Sequence, residues 1–291
     1  MKVGLQINRF DYSGGDSKIG QNVRAVSIAA ENVGFNSIWV MDHFFQLEHI
    51  GKYTDPMLES YTTLGYIAGV TNKVSLGTMV TGVIYREPAL LINAVTTLDV
   101  LSGGRAYLGI GAGWNDQEAK ALGFLDPLHS RRFERLEDTL QIALQMWSGN
   151  NQPFEGSIYQ LPEPYLSPQP VSKPHPPILI GGGGEEKTLR LVAKYGNACN
   201  LFAHDMNQLS HKLEVLKQHC QEIGRPYEDI EKTALTGVDI TTAANDPKRS
   251  LATAKELRSL GIEHAIYANS QDADLSSFTK FADTVQAIHE L

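Results

Sequence analysis

The chain has 291 residues, 42% of them hydrophobic and 20% charged, the composition of a folded globular protein with a large core. Its net charge of −8 argues against nucleic acid as a partner, and no apolar run is long enough to span a bilayer. The two cysteines, Cys199 and Cys220, lack metal or redox spacing and read as small buried side chains, so a reducing cytoplasm is the expected compartment.

Strand and helix patterns alternate along the chain. Residues 3–7 read as a first strand and not as a signal peptide, because no small-residue cleavage site follows. Val23, Val26, Ala30 and Val33 mark one helical face that Gly34 ends. Residues 38–41 form a second buried strand, and 57–70 a helix with Pro56 at its first turn. A third strand covers 74–81, followed by a helix at 89–101 that Pro88 opens and Gly103-Gly104 closes. A fourth strand covers 106–110, and Phe133, Leu136, Leu140, Ala143 and Trp147 then recur at helical spacing.

The proline-rich segment 149–177 interrupts this pattern, and it reads as an excursion or lid with a small hairpin at 154–159. The alternation then resumes with strands at 178–180, 198–202, 233–240 and 264–267, each followed by a helical face. Eight strand–helix pairs predict a (β/α)8 TIM barrel with insertions, as one domain over residues 1–291. A doubly wound open sheet is the alternative.

In a barrel, chemistry sits on the loops after the strands. The loop after the second strand holds Asp42 and His43, followed by Phe44 and Phe45. A histidine there is a general acid or base, or a core residue tying down a carbonyl; its position favours the first. The third strand carries Leu76-Gly-Thr78-Met79-Val80-Thr-Gly82, and its bracketing glycines suggest a bulge or close backbone approach. The fourth ends in Gly109-Ile-Gly111-Ala112-Gly113-Trp114, which fails the dinucleotide fingerprint but lets a ring or phosphate approach the backbone. There Trp114 could wall a pocket by stacking.

The fifth strand ends in Gly181, Gly182, Gly183 and Gly184 before a helix, a cradle of N–H groups suited to phosphate or, alternatively, a flexible turn. It is not a P-loop, and the chain has no Gly-x-Ser-x-Gly or His-Glu-x-x-His. Asp42, His43 and His49 lack a well-placed further ligand for a metal, and His211 and His219 share a helix as solvated residues.

Together, Trp39-Val-Met-Asp-His-Phe44, Leu76-Gly-Thr-Met-Val80, Leu98-Asp-Val-Leu-Ser-Gly-Gly-Arg105, Leu108-Gly-Ile-Gly-Ala-Gly-Trp114 and Ile178-Leu-Ile-Gly-Gly-Gly-Gly184 resemble the bacterial luciferase-like flavin enzymes. Within them the chain is most similar to the coenzyme F420-dependent oxidoreductases. The resemblance implies a (β/α)8 barrel, a homodimer, and a deazaflavin or flavin lying across the carboxyl end of the strands. It places Asp42 and His43 near the ring, with His43 exchanging the proton that accompanies hydride transfer to a small-molecule substrate. It implies a cis peptide at Met79–Val80 beneath the ring, with Thr78 beside it. It sets Gly111, Ala112, Gly113 and Trp114 along the cofactor, and Gly181 to Gly184 at its phosphate.

Where sugar-phosphate dehydrogenases of this group carry an acidic residue, this chain has Trp114, which points to a more apolar substrate. The cofactor expected is F420, with FMN the alternative. Lys187 and Arg190 are candidates for the acidic tail that only F420 carries. The competing functions are an FMN-dependent monooxygenase using oxygen and a flavin-binding barrel without turnover.

Overall fold

In a computed structural model, which describes residues 1–124, 129–270 and 274–291, the chain forms a parallel barrel ringed by helices. Its strands are β1 (Lys2–Ile7), β2 (Ser37–Val40), β3 (Ser75–Thr78), β4 (Thr81–Gly82), β5 (Leu108–Gly111), β8 (Ile178–Gly181), β9 (Ala198–Phe202), β10 (Glu231–Asp239) and β11 (His264–Ala268). They pair in the order β3-β2-β1-β11-β10-β9-β8-β5-β4. β3 and β4 are halves of one strand, separated by a cis peptide at Met79–Val80.

The ring closes because both halves meet the β5 strand. Leu76 bridges to Ala106, and Thr81 and Gly82 pair with Ile110 and Gly111. Eight strand positions therefore form the (β/α)8 barrel that the alternation predicts. Strands covered on both faces read as continuous apolar runs, and β2 is buried at all four positions.

The helices bury the apolar stripes seen in the sequence. α1 (Ile19–Asn32) turns Val23, Val26 and Ala30 inward, and α10 (Leu275–His289) does the same with Phe278, Phe281, Val285 and Ile288. α3 (Pro88–Ser102) starts on Pro88 and stops at Gly103, whose φ of 70° suits a helix end.

Local boundaries differ where polar groups compete. α2 (Ser60–Ala68) starts later than the 57–70 pattern, because the Glu59 side chain caps it by accepting from Thr62 N. Ile240 leaves the seventh strand to open the short helix α8 (Ile240–Asn245), capped by Asp239. A second short helix, α4 (Asp116–Ala121), precedes α5 (Arg132–Trp147). The remaining helices are α6 (Thr188–Tyr195), α7 (Met206–Ile223) and α9 (Pro247–Ser259). Both cysteines are free and buried.

The excursion between α5 and β8 contains the predicted hairpin, β6 (Phe154–Glu155) with β7 (Gln160–Leu161). Buried carboxylates tie it to the barrel's flank. Asp138 accepts the N–H groups of Ser157, Ile158 and Tyr159, and Asp99 those of Val171 and Ser172. A Cβ on Gly156 would lie 2.4 Å from Asp138 Oδ2, so only glycine fits that turn. No residue of 149–177 lines the cleft described below, so the excursion is a buttress and not a lid over it.

Candidate active site

Asp42 and His43 end β2 side by side but face different partners. Asp42 is buried, takes a two-pronged pair from the Arg86 guanidinium and accepts a 2.7 Å hydrogen bond from Ser60 Oγ. Arg86 also pairs with Glu59 and lies 4.9 Å from the Tyr61 ring centroid. Burial opposes the Arg86 charge, but the Asp42 hydrogen bond and charge, with Tyr61 and Glu59, together hold the guanidinium above its ordinary value. Asp42 thus ties the β2 loop to α2 and to the segment after β4.

His43 turns toward the end of β5. Its Nδ1 lies 2.7 Å from Glu118 Oε2, and its ring meets Trp114 edge to face at 5.7 Å. Glu118 comes from α4 and is fully buried. It also accepts from Tyr85 OH at 2.6 Å and from the N–H groups of Phe44 and Phe45. Burial by itself would raise this carboxyl, but the hydrogen bonds from His43 and Tyr85 hold it below its ordinary value. The Tyr85 phenol is pushed up by burial and by donating to Glu118.

The sequence reading missed Glu118. The signal that finds it is Asn115-x-x-Glu118, a helix-start pattern directly after the glycine strand. Asn115 does cap Glu118 N, but the glutamate side chain reaches across the barrel mouth to the β2 loop.

Above these residues lies a two-lobed cleft at the carboxyl ends of the strands. The smaller lobe, about 290 Å³, is lined by Asp42, His43, Met79, Val80, the Gly111–Gly113 backbone, Trp114 and all four glycines Gly181 to Gly184. Thr78 does not reach it. That residue is fully buried, and its hydroxyl donates to Gly109 O at 2.7 Å. The larger lobe, about 830 Å³, shares His43, Met79, Trp114, Phe202 and Leu235 with the smaller one and extends over the ends of β1, β10 and β11.

The glycines of the smaller lobe are sterically required. A Cβ on Gly181 would stand 2.8 Å from Val80 Cγ1, and one on Gly111 3.0 Å from Val80 Cγ2. Gly182 has φ 116° and donates to Asn200 O, while the N–H groups of Gly183 and Gly184 meet no acceptor among the described residues. These face the start of α6, where Thr188 also lines the lobe. Such a cradle fits a phosphate, and its bare floor fits a flat ring.

Cations stand beyond it. Lys187 Nζ lies 5.2 Å from the Phe133 ring centroid, and Lys212 pairs with Glu185. Both Lys212 and His211 hold the Glu185 carboxyl below its ordinary value, Lys212 the more strongly. His219, expected to be solvated, instead places Nε2 2.9 Å from Glu185 O.

The sequence profile described as luciferase-like monooxygenase matches residues 5–290. The chain belongs to this family. Among curated proteins, this luciferase-like chain is 30% identical to an F420-dependent glucose-6-phosphate dehydrogenase of Amycolatopsis mediterranei (strain U-32), over 71% of its own length and 61% of that enzyme's. It is also 30% identical to the pyrimidine monooxygenase RutA of Allorhizobium ampelinum (strain ATCC BAA-846 / DSM 112012 / S4), over 64% of its length and 50% of the relative's. It thus spans half to two thirds of the length of the curated relatives it matches.

Among solved structures, an F420-dependent secondary alcohol dehydrogenase in complex with an F420-acetone adduct superposes with a TM-score of 0.83 at 18% identity, covering 99% of this chain and 98% of that one. An FMN-bound type II Baeyer–Villiger monooxygenase of Pseudomonas putida superposes at 0.75 with 15% identity and 98% coverage of both. At these identities the superpositions establish the shared barrel.

Proposed function

We propose that this luciferase-like protein is an oxidoreductase that transfers a hydride between coenzyme F420 and a small, fairly apolar organic substrate. One observation carries the reading: a glycine-floored lobe ending in a phosphate cradle opens, at His43, Met79 and Trp114, into a second lobe large enough for a substrate. A ring seated in the first lobe and a molecule in the second would meet beside His43. The relatives named F420-dependent support the cofactor, and the FMN-linked relatives keep oxygenation as the competing reading.

When bound, F420 would supply a two-electron hydride carrier, and the protein's part is to bind, orient and exclude water. Gly183, Gly184 and Thr188 would hold the F420 phosphate, Met79 and Val80 would support its ring, and Trp114 walls the junction of the lobes. His43 gives or takes the proton at the substrate oxygen that accompanies the hydride. Asp42 fixes the strand end that carries His43 through its pairs with Arg86 and Ser60. Lys187, Lys212 and, further along α6, Arg190 would favour the acidic tail of F420, which FMN lacks.

The larger lobe supports an uncharged substrate. Met41, Leu47, Ile50 and Phe202 give it apolar walls. Among its described lining residues, Arg9 is the only lysine or arginine, and Asp11 grips it through both guanidinium edge nitrogens at 3.0 and 2.7 Å. Asp239 and Asp274 add negative charge at the rim. This site disfavours a phosphate monoester, unlike that of the glucose-6-phosphate dehydrogenases.

The test is titration of the apoprotein with each cofactor. Tight F420 binding with FMN at least about tenfold weaker is the expected result. Tight FMN binding without F420 binding would move the protein to FMN-linked oxygenation, and binding without turnover of any substrate would make it an inert flavin-binding barrel.

A homodimer is also proposed. α3 carries Leu90 and Leu101 on its outer face, 62% and 72% exposed, with Asn93 and Thr97 between them, and large apolar side chains exposed on one face suit contact with a second copy. Light scattering should give twice the chain mass, and Leu101→Lys should lower it to one.

A further inference from the structure

The geometry points to Glu118 as the positioning residue that fixes the tautomer of His43, so that Nδ1 carries the proton and Nε2 is the atom presented for proton transfer. This deepens the reading of the same site and rests on it for the role of Nε2. The argument begins from donors and acceptors. An ionised carboxylate can only accept, and every polar group around Glu118 is placed to donate. Oε1 takes the N–H groups of Phe44 and Phe45, and Oε2 takes Tyr85 OH at 2.6 Å and faces His43 Nδ1 at 2.7 Å.

Two backbone N–H groups and a phenol on a fully buried carboxylate stabilise its anion, so the proton between Glu118 and His43 belongs to the imidazole. Asp42 cannot serve this purpose, because Arg86 and Ser60 already hold it. The same contacts latch α4, and with it the end of β5, to the loop after β2. His43 therefore stands between the two lobes with its orientation set from behind, as the orienting carboxylate of a nucleophile–histidine–carboxylate triad sets its imidazole.

Glu118→Gln discriminates this role from simple packing. The amide has almost the same shape but must turn its NH2 either against the Phe44 and Phe45 N–H groups or against Tyr85 and His43. The first opposes donor to donor, and the second donates to His43 Nδ1, which moves the ring's proton onto Nε2 and loses the tautomer that the glutamate enforces. With F420 and a turned-over alcohol, we expect kcat to fall about 10- to 100-fold while KM and the F420 dissociation constant change less than about twofold. A kcat within twofold of wild type overturns the proposal.

The second measurement needs neither the variant nor the cofactor. Long-range proton–nitrogen NMR of 15N-histidine-labelled apoprotein, with His43 assigned by its absence in His43→Gln, should show neutral His43 protonated at Nδ1. An Nε2-protonated ring overturns the proposal even if the variant fails to fold. Because this reading uses apoprotein, it separates a failure of the Glu118 role from a failure of the F420 assignment.

Discussion

Each end of the barrel holds a histidine facing a glutamate, and the two pairs sit in opposite surroundings. At the carboxyl end, His43 meets Glu118 beside an open cleft. At the amino end, His264 lies 3.4 Å from Glu231, with Ser37 Oγ 2.9 Å from its other ring nitrogen. Trp39 Nε1 donates to that same Ser37 oxygen at 2.6 Å, and the Trp39 and Tyr107 rings close over the pair. His264 is bonded to Ser37 through Nε2, its buried Nδ1 meets only the Glu231 carboxylate at ion-pair distance, and no lobe reaches it, whereas His43 spends one nitrogen on Glu118 and faces the cleft. On the proposed function, identical residue types serve stability at one end and chemistry at the other, as barrel architecture leads one to expect.

The largest effect that would break this comparison is on turnover. His43→Ala should lower kcat about 100-fold or more while F420 still binds. Wild-type turnover in that variant, measured by bleaching of F420 fluorescence, would reduce His43 to a structural residue like His264.

The next effect is on stability and has a defined pH window. Burial would raise the Glu231 carboxyl, but His264 and Lys2 outweigh it and bring it from the ordinary 4.5 to about 2. A carboxyl depressed on folding contributes in full at neutral pH, and the contribution is lost as pH falls from about 4.5 toward 2. Glu231→Gln should therefore cost on the order of 2 kcal/mol at pH 7 in urea unfolding, and the gap to wild type should narrow near pH 3. A constant gap across that range would contradict the role given to the amino-end pair.

A smaller effect sharpens the division of the cleft. Gly237 has φ 70°, and a Cβ there would stand 2.4 Å from His204 Cε1. Gly237→Ala should push His204 into the larger lobe and raise KM several-fold while leaving the F420 dissociation constant unchanged. Equal losses in both would show that the lobes do not bind separately.

These contrasts also mark what the sequence could reveal. The barrel was legible because strands buried on both faces produce continuous apolar runs, and glycine or proline punctuates the helices between them. The strand-end glycines 181–184 were legible because they sit together in sequence. Glu118 was not, since its meaning depends on His43, 75 positions away in the chain. α4 and α8 have six residues each, too few for a helical stripe to show. Thr78 was misplaced toward the cleft because strand neighbours alternate sides, and its side chain falls on the Gly109 side. The length of segment 149–177 left it open as an excursion or lid, and two buried aspartates hold it on the barrel's flank, away from the cleft.

Hydride transfer at this site is decided by anaerobic transfer of deuterium from the carbinol carbon of small neutral secondary alcohols to protein-bound F420. Deuterium in the reduced cofactor, a primary isotope effect and no reaction with glucose 6-phosphate are expected. Failure of all the alcohols to reduce F420, together with substrate-dependent oxygen consumption by the protein loaded with reduced FMN, would contradict hydride transfer to F420.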